Sequence, residues 1–369
     1  MRRVLRQHSP QAAEKFLQEV FWRTYWKGWL EMRPQLWREY LSEVEEAFGL
    51  LAHRDAQRRI YPQAIAGESG IQCFDAWARE LVETGYLHNH ARMWFASIWI
   101  FTLKLPWQLG ADFFYRHLLD GDPASNTLSW RWVGGLQTRG KHYLARASNI
   151  ARYTEGRFDP QGELVEDAAP LTPDAPFERV EIPPLAPVTV GSATAGPATG
   201  LLMLAEDTSV ETFGELMELR PRAVAGLSPR LLAQLHRVDD KVVRFRRAAL
   251  EDGLNRVREA LGLEKSQAPL LFELSAEEVI RSEAAELLLP RLLAWAEEFQ
   301  LERIAVVAPA VGPWQALLER LGPLLERENL PLCPLRRPWD RALYPYATQG
   351  FFAFKKKIPG VLERLEDLL

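Results

Sequence analysis

Between Ser9 and Leu119 the apolar positions recur at helical spacing in successive blocks. Ser9 followed by Pro10 reads as an N-cap with proline at the first helical position. Phe16, Val20, Trp22, Tyr25, Trp26 and Trp29 then follow at helical intervals, predicting a helix over 9–31. A second helix is predicted over 35–51, then a loop running to Gly67. Two more are predicted over about 72–84 and 88–104, and another, acidic and aromatic, over 107–119.

The pattern changes after Arg157. From Asp159 to Gly200 the chain is rich in Pro, Ala, Thr and Gly, the signature of a linker. Its GSATAG run precedes a strand instead of following one, the wrong context for a phosphate-binding loop. From Leu201 short apolar runs (LLMLA, AVAGL, LLFEL, RIAVVAPA, LCPLR) alternate with helical stretches around 228–261, 276–299 and 312–328. Strand and helix in alternation predict a doubly wound, Rossmann-like parallel sheet. The expected organisation is an all-helical domain over 1–158, a linker over 159–200 and an α/β domain over 201–369.

Composition narrows the functional classes. No apolar run reaches membrane-span length, and the basic N-terminus lacks the apolar core of a secretory leader. Two cysteines, Cys73 and Cys333, exclude a disulfide framework and fit a reducing cytoplasm. His88 and His90 stand two apart, so they do not share a helix face, and no metal site is expected. The net charge is −4, but residues 1–150 hold 19 Lys and Arg against 15 Asp and Glu. No acid falls between Pro123 and Thr154, where Arg131, Arg139, Lys141, Arg146 and Arg152 lie. Such a stripe either tracks a phosphodiester backbone or is an ordinary solvated surface. Ten of the thirteen tryptophans lie within residues 1–132, a density suited to redox or base-stacking roles.

The densest polar and aromatic signal runs from Gly85 to Trp132, where HNHAR is followed by a DGDPASN turn and WRW. Asp120 and Asp122 flank Gly121 there, so carboxylates and amides can face one ligand. His88, Asn89, Arg92, Met93, Trp107, Asp120, Gly121, Asp122, Asn126, Trp130 and Trp132 match, in order and spacing, the flavin-binding helical domain of the photolyase/cryptochrome family. Upstream, FLQEVFWRTYW resembles the family's E-x-x-W-R helix and gives Glu19, Trp22 and Arg23; the resemblance runs from about 14 to 158.

The resemblance implies an FAD cofactor held by Arg92, Asp120, Gly121, Asp122 and Asn126. In it Asn126 lies beside flavin N5, Arg92 pairs with Asp120 near the ring, and Asp122 meets the sugar side. Trp130 and Trp107 match the first two members of an electron relay whose third tryptophan is missing here; Tyr61 is the nearby aromatic, with Trp94 or Trp99 approaching from another direction. Glu19, Trp22, Arg23, Asn89, Met93 and Trp132 match positions that meet a flipped pyrimidine dimer, where stacking of roughly 1–3 kcal/mol per base offsets the flipping cost.

The chain departs from the family in two further respects. A T-S-x-L-S-P-Y-L-like segment that cradles the FAD pyrophosphate precedes the E-x-x-W-R helix in the family, whereas about a dozen residues precede it here. Charge-assisted bonds contribute roughly 1.5–3 kcal/mol each, so losing two would weaken FAD by about a hundredfold. Either the reading frame is truncated, or another segment supplies phosphate donors, or the flavin is no longer bound well. Ser228, Pro229 and Arg230 are a weak replacement. The α/β region, which resembles the latter half of the family's antenna domain up to the closing GFFAFKKKIP run, also follows the helical domain instead of preceding it. That order means either a circular permutation or a separate attachment. The expected function is light-dependent repair of pyrimidine dimers in DNA, a cryptochrome-like light or redox signal, or a degenerate scaffold.

Overall fold

A computed structural model describes residues 2–138, 140–172, 177–182, 196–233, 236–263, 270–274 and 284–361. The chain divides into two compact units, Met1–Val180 with Ala347–Lys356, and Glu181–Tyr346 with Lys357–Leu369. Arg139, most of the GSATAG run and positions 276–283 lie outside the described residues.

The first unit is helical: α1 (Arg2–Gln7), α2 (Pro10–Glu31), α3 (Gln35–Leu51), α4 (Asp55–Ala66), α5 (Gln72–Thr84), α6 (Asn89–Ser97), α7 (Trp107–His117), α8 (Pro123–Gly134) and α9 (Ala147–Tyr153). Ser9 caps α2 by accepting from the Ala12 amide at 3.2 Å. Helix α8 is the centre of the unit and packs against α2, α6 and α7. Its faces are buried nearly all round, which explains the mixed Ala, Thr, Leu, Trp and Val sequence with no clean amphipathic stripe.

Two expectations for this unit change. The segment expected as a loop up to Gly67 contains α4, with Pro62 inside it. Ile60, Tyr61 and Ala64 supply its inward positions, and Gly67 ends it in the left-handed conformation. The helix expected over 88–104 is α6 continued by a π-helical turn, Ile98–Thr102. Lys104, at φ 53°, and Pro106 stop it.

The second unit is built on a five-stranded, all-parallel sheet. Its strands are β1 (Thr199–Met203), β2 (Ala223–Leu227), β3 (Leu270–Phe272), β4 (Arg303–Val307) and β5 (Leu332–Leu335), ordered β3-β2-β1-β4-β5. Leu201 pairs with Val224 on one side and Ala305 on the other. The helices are α10 (Gly214–Met217), α11 (Arg230–Ala233), α12 (Asp240–Ala260), α13 (Ala284–Phe299), α14 (Pro313–Arg327) and α15 (Pro338–Leu343). Leu202 packs with Leu288, Leu292 and Leu321, while Leu201 and Met203 pack with Leu250 and Leu254. Alternate residues of one strand thus enter opposite cores, as the period of two requires. The helix expected over 228–261 is split: Arg237 has φ 51°, and Asp239 starts α12 afresh by accepting from the Lys241 amide. Ser228 and Arg230 belong to this unit, at the end of β2 and in α11.

Helix α16 (Phe351–Lys355) packs on α2 within the first unit. The GFFAFKKKIP run therefore contributes its aromatic residues to the helical unit.

Candidate functional site

Three helices of the first unit aim one face each at a common cavity of about 540 Å³. Glu19, Trp22, Arg23 and Trp26 come from α2, and Asn89, Arg92, Met93 and Ala96 from α6; both sets follow the i, i+3, i+4, i+7 stripe of one helix face. The turn before α8 adds Asp120, Gly121 and Asp122, and α8 itself adds Asn126, Trp130 and Trp132. Trp107 alone among the expected site residues is outside this lining: it is buried and stacks on Tyr40, with centroids 5.6 Å apart.

Gly85 sets the relation between α6 and the acidic turn. It ends α5 at φ 72°, and its carbonyl accepts from the Leu119 amide at 3.0 Å. A Cβ there would meet Leu119 at 2.7 Å. The turn is thereby held beside α6, and Arg92 clasps Asp120 through two hydrogen bonds of 3.1 and 3.2 Å. A third bond, from Arg92 Nε to the Leu87 carbonyl at 2.8 Å, orients the guanidinium. Asp120 remains 53% exposed, so this pair sits at the rim and not in a buried setting.

Asp122 is the buried carboxylate of the site, 6% exposed. It is the N-cap of α8 and accepts from the Ser125 amide at 2.8 Å. Burial would raise its pKa, but Lys27 at 3.3 Å, Arg23 at 3.7 Å and the Ser125 amide outweigh that and hold it at about 2. It is a permanent anion and acceptor at neutral pH. Lys27 carries no match to the motif, yet its i+4 spacing from Arg23 placed it on the site-facing side of α2.

Asn126 is also buried, and one amide N–H donates to the Ala111 carbonyl at 2.7 Å. Its second N–H and its carbonyl oxygen are the groups left for a ligand. Trp130 lies beyond it, edge-on to Trp99 at 6.2 Å, and Trp99 is edge-on to Tyr61 at 6.0 Å. This approach depends on Gly110, where a Cβ would fall 2.3 Å from the Trp130 ring. Arg116 donates to the Tyr61 hydroxyl at 3.4 Å.

The basic stripe is thinner than expected. Arg131 is 5% exposed, its guanidinium lying over Trp107 and Phe177 at 5.6 and 5.4 Å. It faces inward because α8 is central to the bundle. Lys141, Arg146 and Arg152 are exposed.

Trp22 has an unexpected neighbour. Phe351 stacks on it with centroids 3.6 Å apart and planes 11° apart, and Phe352 joins the cavity lining. Nothing local in the sequence links these rings to α2.

Aromatic walls, a buried ionised carboxylate, a half-engaged amide and a rim arginine suit a flat conjugated ligand with a hydroxylated tail. The volume lies in the range of cofactor sites. Among the described residues no His, Cys, Asp or Glu cluster of metal-ligating form occurs, and no helix is long and apolar enough to cross a membrane.

The family described as the FAD binding domain of DNA photolyase matches residues 16–194. A deoxyribodipyrimidine photo-lyase of Salmonella typhimurium is 32% identical over 171 residues, covering 46% of this chain and 34% of that protein. One from Thermus thermophilus is 33% identical over 171 residues, covering 46% and 39%. Cryptochrome-2 of Arabidopsis thaliana is 33% identical over 151 residues, covering 41% and 24%. The chain thus spans about a third of the length of the curated relatives it matches. No solved structure matches. Residues 16–194 of this chain are thus similar to the FAD-binding domain of the photolyase/cryptochrome family.

Proposed function

We propose that the protein is a light-dependent lyase acting on cyclobutane pyrimidine dimers in DNA, with FAD in the cavity between α2, α6 and α8. The observation carrying this reading is the convergence of Arg92, Asp120, Asp122 and Asn126 on one cavity whose other lining includes Glu19, Trp22, Asn89, Met93 and Trp132.

Bound FAD supplies light absorption and one-electron chemistry. The Asp122 carboxylate, ionised at any physiological pH, accepts from ligand hydroxyls. Gly121 leaves the turn free of a side chain, and the Arg92–Asp120 clasp fixes the rim. Asn126 offers an uncharged donor and acceptor. Trp130 would supply an electron to the light-excited cofactor and be refilled through Trp99 from Tyr61, whose phenolic proton would leave to water; the ring separations of 6.2 and 6.0 Å and the half-buried position of Tyr61 support that route. Trp107, stacked on Tyr40, is a second branch. Glu19, Asn89 and Met93 meet the edges and face of the lesion.

The test is direct. The purified protein is expected to carry a flavin that denaturation releases as FAD, and to remove dimers from ultraviolet-irradiated DNA under blue light but not in darkness. A protein without flavin overturns the cavity assignment, and a flavoprotein that leaves dimers intact overturns the lyase reading. That second result would favour a cryptochrome-like signalling role, for which Phe351 covering a face of Trp22 is the supporting observation.

A further inference from the structure

Helix α16 is pinned to α2 on both sides of Phe352. The Tyr25 hydroxyl donates to the Gln349 carbonyl at 2.8 Å, and Arg33 donates to the Thr348 carbonyl at 3.2 Å. Lys355 pairs with Glu14 at 2.7 Å. Phe351 is buried on Trp22, and Phe354 is buried beside Tyr25 with centroids 5.6 Å apart. These anchors fix the backbone, so the outward direction of the first of the two residues between the buried rings is set by the helix.

Phe352 is that residue. It is 75% exposed, the most exposed large apolar side chain among the described residues, and it lines the cavity together with Glu19, Asn89 and Trp132. A rigidly mounted bare ring at a cavity rim is a stacking surface. Lys356 beside it is exposed, and the sequence continues with Lys357. An aromatic face next to free cations is the combination that holds an unpaired nucleic-acid strand, the ring taking a base and the ammonium groups its phosphates. A single ring is too small an apolar patch to dock a folded protein. Trp22 has a face taken by Phe351, which makes it the support behind the platform.

We infer that Phe352 is a base-stacking residue at the mouth of the cavity, receiving an unpaired nucleobase of DNA, with Phe351 and Trp22 as its backing and Lys356 as a phosphate contact. The inference rests on the DNA reading proposed above and assigns helix α16 a part in it.

Fluorescence anisotropy with a labelled oligothymidylate and with an irradiated duplex tests it, using the full chain. F352A is expected to weaken both by roughly tenfold, F352W to retain binding, and F245A, an exposed ring on α12, to leave it unchanged. K356Q is expected to lower the salt dependence by about one counterion. FAD content and melting temperature should not move in F352A, because the ring is exposed. Equal binding by F352A and the unaltered protein overturns the stacking role while leaving DNA binding intact. No binding by the unaltered, flavin-loaded protein overturns the inference and the DNA reading together, and spares FAD binding.

Discussion

The Asp122 carboxylate lies 3.3 Å from the Lys27 ammonium at the start of the central helix, and the same carboxylate caps that helix. One side chain therefore combines a structural and an electrostatic duty. D122N separates them, because asparagine caps as well as aspartate but leaves Lys27 and Arg23 without their anion. The expected result is a loss of about 2 kcal/mol in urea unfolding and a fall in co-purified FAD of about tenfold. Unchanged FAD content would remove Asp122 from the cofactor site.

Acid sensitivity follows from the same group. Its pKa is about 2 when folded against 3.8 in the unfolded reference, so the folded state binds the proton less readily. The stabilisation is complete above the unfolded value and is lost as pH falls from about 4 to about 2, amounting to about 2 kcal/mol. In D122N this part of the acid limb should be missing. Unfolding curves at pH 5, 4 and 3 read the difference.

Gly110 is the point of closest approach between α7 and Trp130. G110A forces Trp130 or Trp99 off its position, since both rings lie within 3.0 Å of the new methyl. A loss of about 1–3 kcal/mol is expected, with a change in tryptophan emission. Unaltered stability and emission would mean the packing is looser than the distances imply.

The Trp130–Trp99–Tyr61 path makes a kinetic prediction. Y61F should lengthen the life of the tryptophan radical seen after a blue flash, because it removes the donor that refills it, and abolish the tyrosyl radical signal in electron paramagnetic resonance. W99F should reduce the yield of both. If W107F alone has these effects, electrons travel through Tyr40 instead.

F351A removes the ring stacked on Trp22. A loss of about 3 kcal/mol is expected from the buried aromatic, and the amides of residues 347–356 should lose hydrogen-exchange protection. Protection that persists would show that the polar anchors suffice.

What could be read from the sequence was whatever depended on local pattern. The five strands are short apolar runs between turn residues, and each was found where its run lies. The cavity-facing side chains of α2 and α6 obey helical spacing, so matching the motif brought Glu19, Trp22, Asn89, Arg92 and Met93 together. Helix α4 was hidden by Pro62 and its charged positions, because its stability comes from Ala64 and its neighbours packing inward. Arg131 read as surface charge since a helix surrounded on every side shows no polar face. Phe351 and Phe352 were invisible as site residues because tertiary packing alone brings them to α2.

The helical unit is discontinuous in the chain: residues 347–356 complete it, and the α/β unit is threaded between two segments that must meet. A fragment cut in the Pro-rich stretch would be born without the partner of Trp22. Melting the sheet would turn the intervening chain into a long slack tether, adding an entropic cost on the order of a few kcal/mol to keeping α16 seated. The two units thus share cooperativity through their covalent connection.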